Sequence, residues 1–145
     1  MRFVMFHLIY TSKEKQAFDP SGLKSLLLRA RIRNHEMDVT GILIYHSGMF
    51  LQALEGDAAA VQSIFSRIEH DARHCDIRIL GRNATIGKRR IFGDWSMGFA
   101  DAAGAAQILK GFIDLKSEIS FSSLDEARAL DILKTCSKEP LQISA

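Results

Sequence analysis

Thr40-Gly41-Ile42-Leu43-Ile44-Tyr45, His46-Ser47-Gly48 and Met49-Phe50-Leu51-Gln52-Ala53-Leu54-Glu55-Gly56 make up the stretch whose reading decides the fold. Two apolar runs flank a short link ending in glycine, the pattern of an antiparallel hairpin. Strand alternation in the second run puts Gln52 on the same face as Phe50 and Leu54. An uncharged amide between two large apolar neighbours is costly unless partners meet it there. Glutamine brings two donors and an acceptor with two lone pairs, and it can turn end for end to exchange them. Two readings stay open here: a buried ligand with mixed hydrogen-bonding edges, or an amide bonded to a loop carbonyl or to water on a half-covered sheet.

Working outward, Phe3–Tyr10 alternates Val4, Phe6, Leu8 and Tyr10 with Phe3, Met5, His7 and Ile9. Both faces want cover, so this run is expected to be a central strand. Asp19-Pro20 reads as a helix N-cap followed by proline at the first helical position. Leu23, Leu26, Leu27, Ala30 and Asn34 then recur along one helical stripe. Beyond the hairpin, Asp57 caps a second helix with the stripe Val61, Ile64, Phe65 and Ile68. Asp71 continues that stripe, and the helix is expected to end near Arg73-His74-Cys75. Ile77–Leu80 reads as a fourth strand. Ile91–Phe99 reads as a fifth, with Trp95, Met97 and Phe99 alternating on one face.

The order β-α-β-β-α-β, plus one strand, predicts an α+β fold of ferredoxin-like type, an antiparallel sheet with two helices on one face. Met5, Ile9, Leu51 and Ala53 on the other face still need cover. Ala105–Lys116 is helix-like, and Ser123-Leu124-Asp125-Glu126 is a capping box opening a helix to about Cys136. Docking these helices on the second face is the economical solution, and a homodimer partner is the other. The expected organisation is a domain over residues 1–100 with a helical C-terminal extension over 101–145 packed on it.

The chain has 145 residues, 47% hydrophobic and 25% charged, with a net charge of +2. These values describe an ordinary soluble globular domain without an electrostatic footprint for nucleic acid. No run approaches a membrane span, and Met1-Arg2-Phe3 leads into a strand rather than a signal peptide. Cys75 and Cys136 form no disulfide framework, so a reducing, cytoplasmic setting is the default. His70 and His74 are spaced to share a metal, with only Asp71 or Cys75 as a nearby third ligand. They read as an exposed helix end, and no metal is expected. Lys88-Arg89-Arg90 reads as a solvated turn.

Tyr10, Asn34 and Asp71 share with Gln52 a predicted burial that their chemistry resists. Singly, they read as a strand-end aromatic, a helix C-cap and a solvated last-turn residue. Together they outline a cavity between the helices and the sheet. Its walls would be aliphatic, with Tyr, Gln and Asn at one rim and Asp, Arg and His at the other. A flat aromatic ligand with polar edges suits such a slot.

Six motifs then occur in order: Tyr10-Thr11-Ser12; Asn34; Val39-Thr40-Gly41-Ile42-Leu43-Ile44-Tyr45; Gly48 to Gly56; Ile68-Glu69-His70-Asp71-Ala72-Arg73-His74; and Phe92-Gly93-Asp94-Trp95-Ser96-Met97-Gly98-Phe99. In these the chain resembles the BLUF domains, blue-light sensors that use FAD, over about residues 1–100. The resemblance implies a photoreceptor rather than an enzyme. It implies Tyr10 as electron and proton donor to the photoexcited flavin, and Gln52 as the amide between that tyrosine and the flavin edge. Asn34 would hold the pyrimidine edge, and Leu26 and Ile68 would sandwich the ring. Asp71, Arg73 and His74 would bind the carbonyl and ribityl–phosphate side, and Trp95 and Met97 would flank the glutamine. Ala30 and Arg33 stand where some members carry other polar residues. FAD is the implied cofactor, with FMN or riboflavin left open. Output would pass to an unknown downstream protein. The alternatives are a small ferredoxin-like enzyme of acylphosphatase type and a ligand-binding module without photochemistry. The first needs a positioned Arg–Asn pair, whereas Arg33 and Asn34 are adjacent on a helix and so point apart.

Overall fold

The structure, a computed structural model, describes residues 4–46, 48–86, 90–92, 98–100 and 121–138. Strand β1 (Val4–Glu14) leads to helix α1 (Pro20–Glu36), then to β2 (Thr40–His46) and β3 (Met49–Gly56). Helix α2 (Ala58–Glu69), β4 (His74–Ile86), β5 (Gly98–Ala100), a helical turn (Phe121–Ser123) and α3 (Glu126–Lys138) follow. The sheet order is β4-β1-β3-β2-β5. Its first four strands pair antiparallel, and β5 adds to β2 in parallel. β1 is central because its residues are apolar on both faces.

Local signals set the element ends. Asp19 accepts the Gly22 N–H at 2.6 Å, and Asp57 accepts the Ala59 N–H at 3.1 Å, each capping its helix. The hairpin closes with His46 opposite Met49, and Gly48 at φ +77° takes the left-handed turn that favours glycine.

Four boundaries differ from the sequence reading. β1 runs on to Glu14, because Thr11–Lys13 continue to pair with Met49–Leu51. β4 extends well beyond Ile77–Leu80, because β1 pairs with it from Glu14 to Val4 and an edge strand carries polar side chains without penalty. α2 stops at Glu69 with His70 as its C-cap, so Asp71 lies in the following turn and not on the helical stripe. Among the described residues of the expected fifth strand, Gly98–Ala100 is paired, while Ile91 and Phe92 precede it outside the ladder. Residues 93–97, with Trp95 and Met97, lie outside the described residues, as do the expected helix over 105–116 and Lys88-Arg89.

Two apolar cores result. On one face Leu8, Tyr10, Leu43, Phe50 and Leu54 meet Leu27 and Ala30 of α1 and Val61, Ile64 and Phe65 of α2. On the other, Ile9, Ile42, Ile44, Leu51 and Ala53 meet Phe121, Leu124, Ala129, Ile132, Leu133 and Cys136. The far face is therefore covered by α3 and the turn before it. Burial of each Leu or Ile there contributes roughly 1.5–3 kcal/mol.

A buried carboxylate pins the approach to β5. Glu55, at 0% exposure, accepts the Ile91 and Phe92 N–H groups at 2.8 Å and the Thr40 hydroxyl at 3.0 Å. Arg90 donates to Thr40 Oγ1 and to the Glu55 and Asp38 carbonyls, and it pairs with the Asp38 carboxylate at 3.2 Å. His7 Nε2 stands 3.7 Å from Glu55 Oε2. Such a network holds a charge inside the fold only because nearly every lone pair is met.

Candidate functional site

Strand register brings the two central residues of the site together. Tyr10 on β1 is the cross-strand partner of Gln52 on β3, and both side chains point toward α1 and α2. The Tyr10 hydroxyl donates to Gln52 Oε1, with the two residues only 1% and 6% exposed. The Tyr10 ring meets Phe65 of α2 edge to face, with centroids 5.0 Å apart. Burial raises the phenol's pKa far above its usual value, and the nearby Arg33 charge opposes that rise. The phenol is thus firmly protonated, and its O–H is already directed at an amide oxygen.

Above this pair lies a cavity of about 160 Å³ between the helices and the sheet. Leu26, Arg29, Ala30 and Arg33 line it from α1, and Arg67 and Ile68 from α2. Asp71, Arg73 and His74 close it from the turn, and Tyr10, Ser12, Leu43, Phe50 and Gln52 form its floor. Of the residues that the sequence picked out, Tyr10, Gln52, Leu26, Ile68, Asp71, Arg73 and His74 therefore meet in one place. Asn34 does not line it. It is buried on α1 beside the slot, at 0% exposure, and its carbonyl accepts the Val39 N–H at 2.8 Å. Arg33 is part of the slot lining, whereas its neighbour Asn34 is not among the lining residues.

The turn is organised by an ion pair. Asp71 takes the Arg73 backbone N–H at 3.0 Å and its Nη2 at 2.6 Å, with Nε close to both carboxylate oxygens. Those bonds hold the Asp71 carboxyl below its usual range despite some burial, and they raise the Arg73 guanidinium. A ring nitrogen of His74 bonds the Ile68 carbonyl, and His70 Nδ1 bonds that of Ser66 at 2.7 Å. Among the described residues no group of three or more His, Cys, Asp or Glu is arranged to hold a metal.

The wall also holds Arg29 and Arg67, cations that the sequence reading passed over. Arg29 and Arg33 stand one turn apart on α1, facing Arg67. Burial pushes the Arg33 pKa down and Arg67 adds to the effect, while Tyr10 and Asp71 oppose it. The i, i+4 repeat of arginine on the stripe side of the helix was the available signal. The slot thus combines aliphatic walls from two helices, a proton-holding polar pair on its floor and an excess of positive charge at its edge. These features fit a flat heteroaromatic ring with polar edges and an anionic side arm.

Comparison with known proteins agrees with that chemistry. The family model described as BLUF, "Sensors of blue-light using FAD", matches residues 5–98. The photoactivated adenylate cyclase subunit beta of Euglena gracilis is 35% identical over 92 residues, 62% of this chain. The matched stretch is only 10% of that relative, so the chain corresponds to a small part of it. The photo-activated state of BlsA superposes with TM-score 0.82 at 22% identity, over 96% of this chain and 99% of BlsA, a likeness of fold. The dark-state structure of BlrB, a BLUF protein, does so with TM-score 0.70 at 25% identity, over 90% and 96% of the two chains.

Proposed function

The chain belongs to the BLUF family of sensors of blue light using FAD, a family of flavin-binding receptors rather than enzymes, and on that premise we propose that it is a photoreceptor switched at Gln52. The observation that carries this reading is the hydrogen bond from the Tyr10 hydroxyl to Gln52 Oε1 on the floor of the slot. We take FAD as the ligand. Leu26 and Ile68 would grip its ring from the two helices, and Asp71, Arg73 and His74 would meet its carbonyl and ribityl–phosphate side. Asn34 would hold the pyrimidine edge, an assignment supported by its burial on α1 beside the slot. Trp95 and Met97 would flank the glutamine on the strength of their motif.

When bound, a flavin supplies absorption of blue light and, once excited, a strong one-electron oxidant. The protein supplies the rest. Tyr10 is an oxidisable phenol, and because burial disfavours its ionised form, loss of its electron must be accompanied by loss of its proton. Gln52 Oε1 is the acceptor in place for that proton. When the electron and the proton both return to Tyr10, the amide can settle end for end, presenting N–H where it had presented oxygen. No bond is changed overall, and the switch is a hydrogen-bond rearrangement in a site of low dielectric, where each bond counts for more than in water. A donor newly aimed at the ligand's carbonyl edge is read out as a red shift. Residues 1–100 would form the light-sensing body and 101–145 an extension through which a partner protein is addressed. Relatives that are photoactivated adenylate cyclases support an output of this kind.

The purified protein should be yellow, and blue light should shift its absorption reversibly to the red. Gln52→Leu should keep the colour and lose the shift. A yellow Gln52→Leu protein that still shifts would refute the switch, and a protein that stays colourless with added flavin would refute the receptor.

A further inference from the structure

Four guanidinium groups line the slot, those of Arg29, Arg33, Arg67 and Arg73, against the single carboxylate of Asp71. That carboxylate is committed to Arg73, whose Nη2 lies 2.6 Å from it. Three cations are therefore left in the wall without a counter-charge among the lining residues. Two of them, Arg29 and Arg33, repel each other from successive turns of α1. We propose that Arg33 makes the slot selective for oxidation state, so that the reduced, anionic form of a flavin ring binds more tightly than the oxidised, neutral form. The inference rests on the flavin reading of the slot and adds to it the oxidation state that the protein favours.

Arg33 differs from the other two in where its charge sits. Arg29 and Arg67 are exposed, so water and salt screen them. Arg33 is half-buried, and its Nε is buried with no acceptor among the described residues. A donor left unmet inside a wall is costly and calls for an acceptor from a ligand. The charge also reaches the floor of the slot, where it bears on the Tyr10 phenol. A guanidinium keeps its proton near neutrality even where burial pulls its pKa down. Arg33 thus brings a permanent, little-screened charge within electrostatic reach of the buried Tyr10–Gln52 pair.

Hydride transfer from a reduced nicotinamide in solution delivers two electrons and one proton to the ring. The neutral ring becomes an anion, and the nicotinamide is left oxidised. The negative charge so gained is stabilised by a fixed cation in a cleft of low dielectric, whereas the neutral ring gains little from it. The consequence for the receptor is a gate. A ring already reduced cannot take an electron from Tyr10, so the switch answers light only where its surroundings keep the ring oxidised.

The test is an anaerobic reductive titration of the flavin-loaded full chain against a reference dye, with free FAD treated in the same way. The wild-type midpoint should lie at least about 30 mV above that of free FAD, which corresponds to about tenfold tighter binding of the reduced form. Arg33→Gln and Arg33→Met remove the charge, and each should lower the reduced-to-oxidised affinity ratio at least about fivefold. Arg33→Lys keeps the charge and should stay within about twofold of wild type, as should Arg29→Gln at its exposed position. A merely structural role would change the affinity for both forms alike and leave the midpoint in place. A smaller or negative shift in the wild type, or an unchanged midpoint in the neutral variants, would overturn the inference. So would an equal fall in Arg33→Lys or Arg29→Gln, or loss of flavin from both neutral variants. Failure of the wild type to bind any flavin would instead remove the receptor reading, and the inference with it.

Discussion

Tyr10 and Gln52 share a hydrogen bond from which water is excluded, and that makes each sensitive to loss of the other. Tyr10→Phe leaves Gln52 Oε1 without its donor and should cost about 1–3 kcal/mol, read as a lower urea midpoint. The same variant should abolish the light-induced shift. Tyr45, whose hydroxyl bonds Glu14, gives a prediction in pH. Burial, then the Glu14 contact, pushes its pKa up to about 12. The folded state thus keeps a proton that the unfolded chain loses from about pH 10. Stability from this group is complete below pH 10 and falls as pH rises toward 12. Urea midpoints measured across that range should fall less steeply in Tyr45→Phe than in wild type. Gln52 and Tyr10 were legible in the sequence because a strand's period of two is rigid. Arg29 and Arg67 were passed over because charge is ordinarily read as solvent-facing. Asp71 was placed on a helix that ends two residues before it, since hydrophobic periodicity carries no stop signal of its own.

At the scale of elements, the hairpin and both helix starts could be read from caps and alternation, whereas strand lengths could not. β4 continues through Arg78, Arg82 and Asn83 because pairing with β1, and not side-chain polarity, decides where an edge strand ends. Gly41 shows a constraint that pattern cannot reveal. A Cβ there would collide with the Ala53 carbonyl across the β2–β3 ladder, backbone against backbone, with no side chain to yield. Gly41→Ala should therefore cost at least about 1–3 kcal/mol and loosen the strand that carries Gln52. A lower thermal midpoint together with weaker flavin retention would show it, and an unchanged midpoint would mean that the ladder can shift at no cost.

For the molecule as a whole, the decisive fact is that one sheet serves two cores. A chain cut after residue 100 would uncover Ile42, Ile44, Leu51 and Ala53 together. Such a fragment should bind hydrophobic dyes and aggregate where the full chain remains monodisperse, which light scattering would show. The second cover was legible as a need in the sequence, from Ile9, Leu51 and Ala53, and α3 meets it. Gln52 faces the slot while Leu51 and Ala53, its immediate neighbours, face α3. On the proposed function, the slot and the face that would address a partner are separated by the thickness of a single β-strand, so no loop or hinge would be needed to carry a message between them. Traffic across such a partition runs both ways. A molecule that grips α3 more firmly in the lit state must, by the same free energy, favour that state over the dark one. The listener would then set how far the receptor's balance leans toward the lit state.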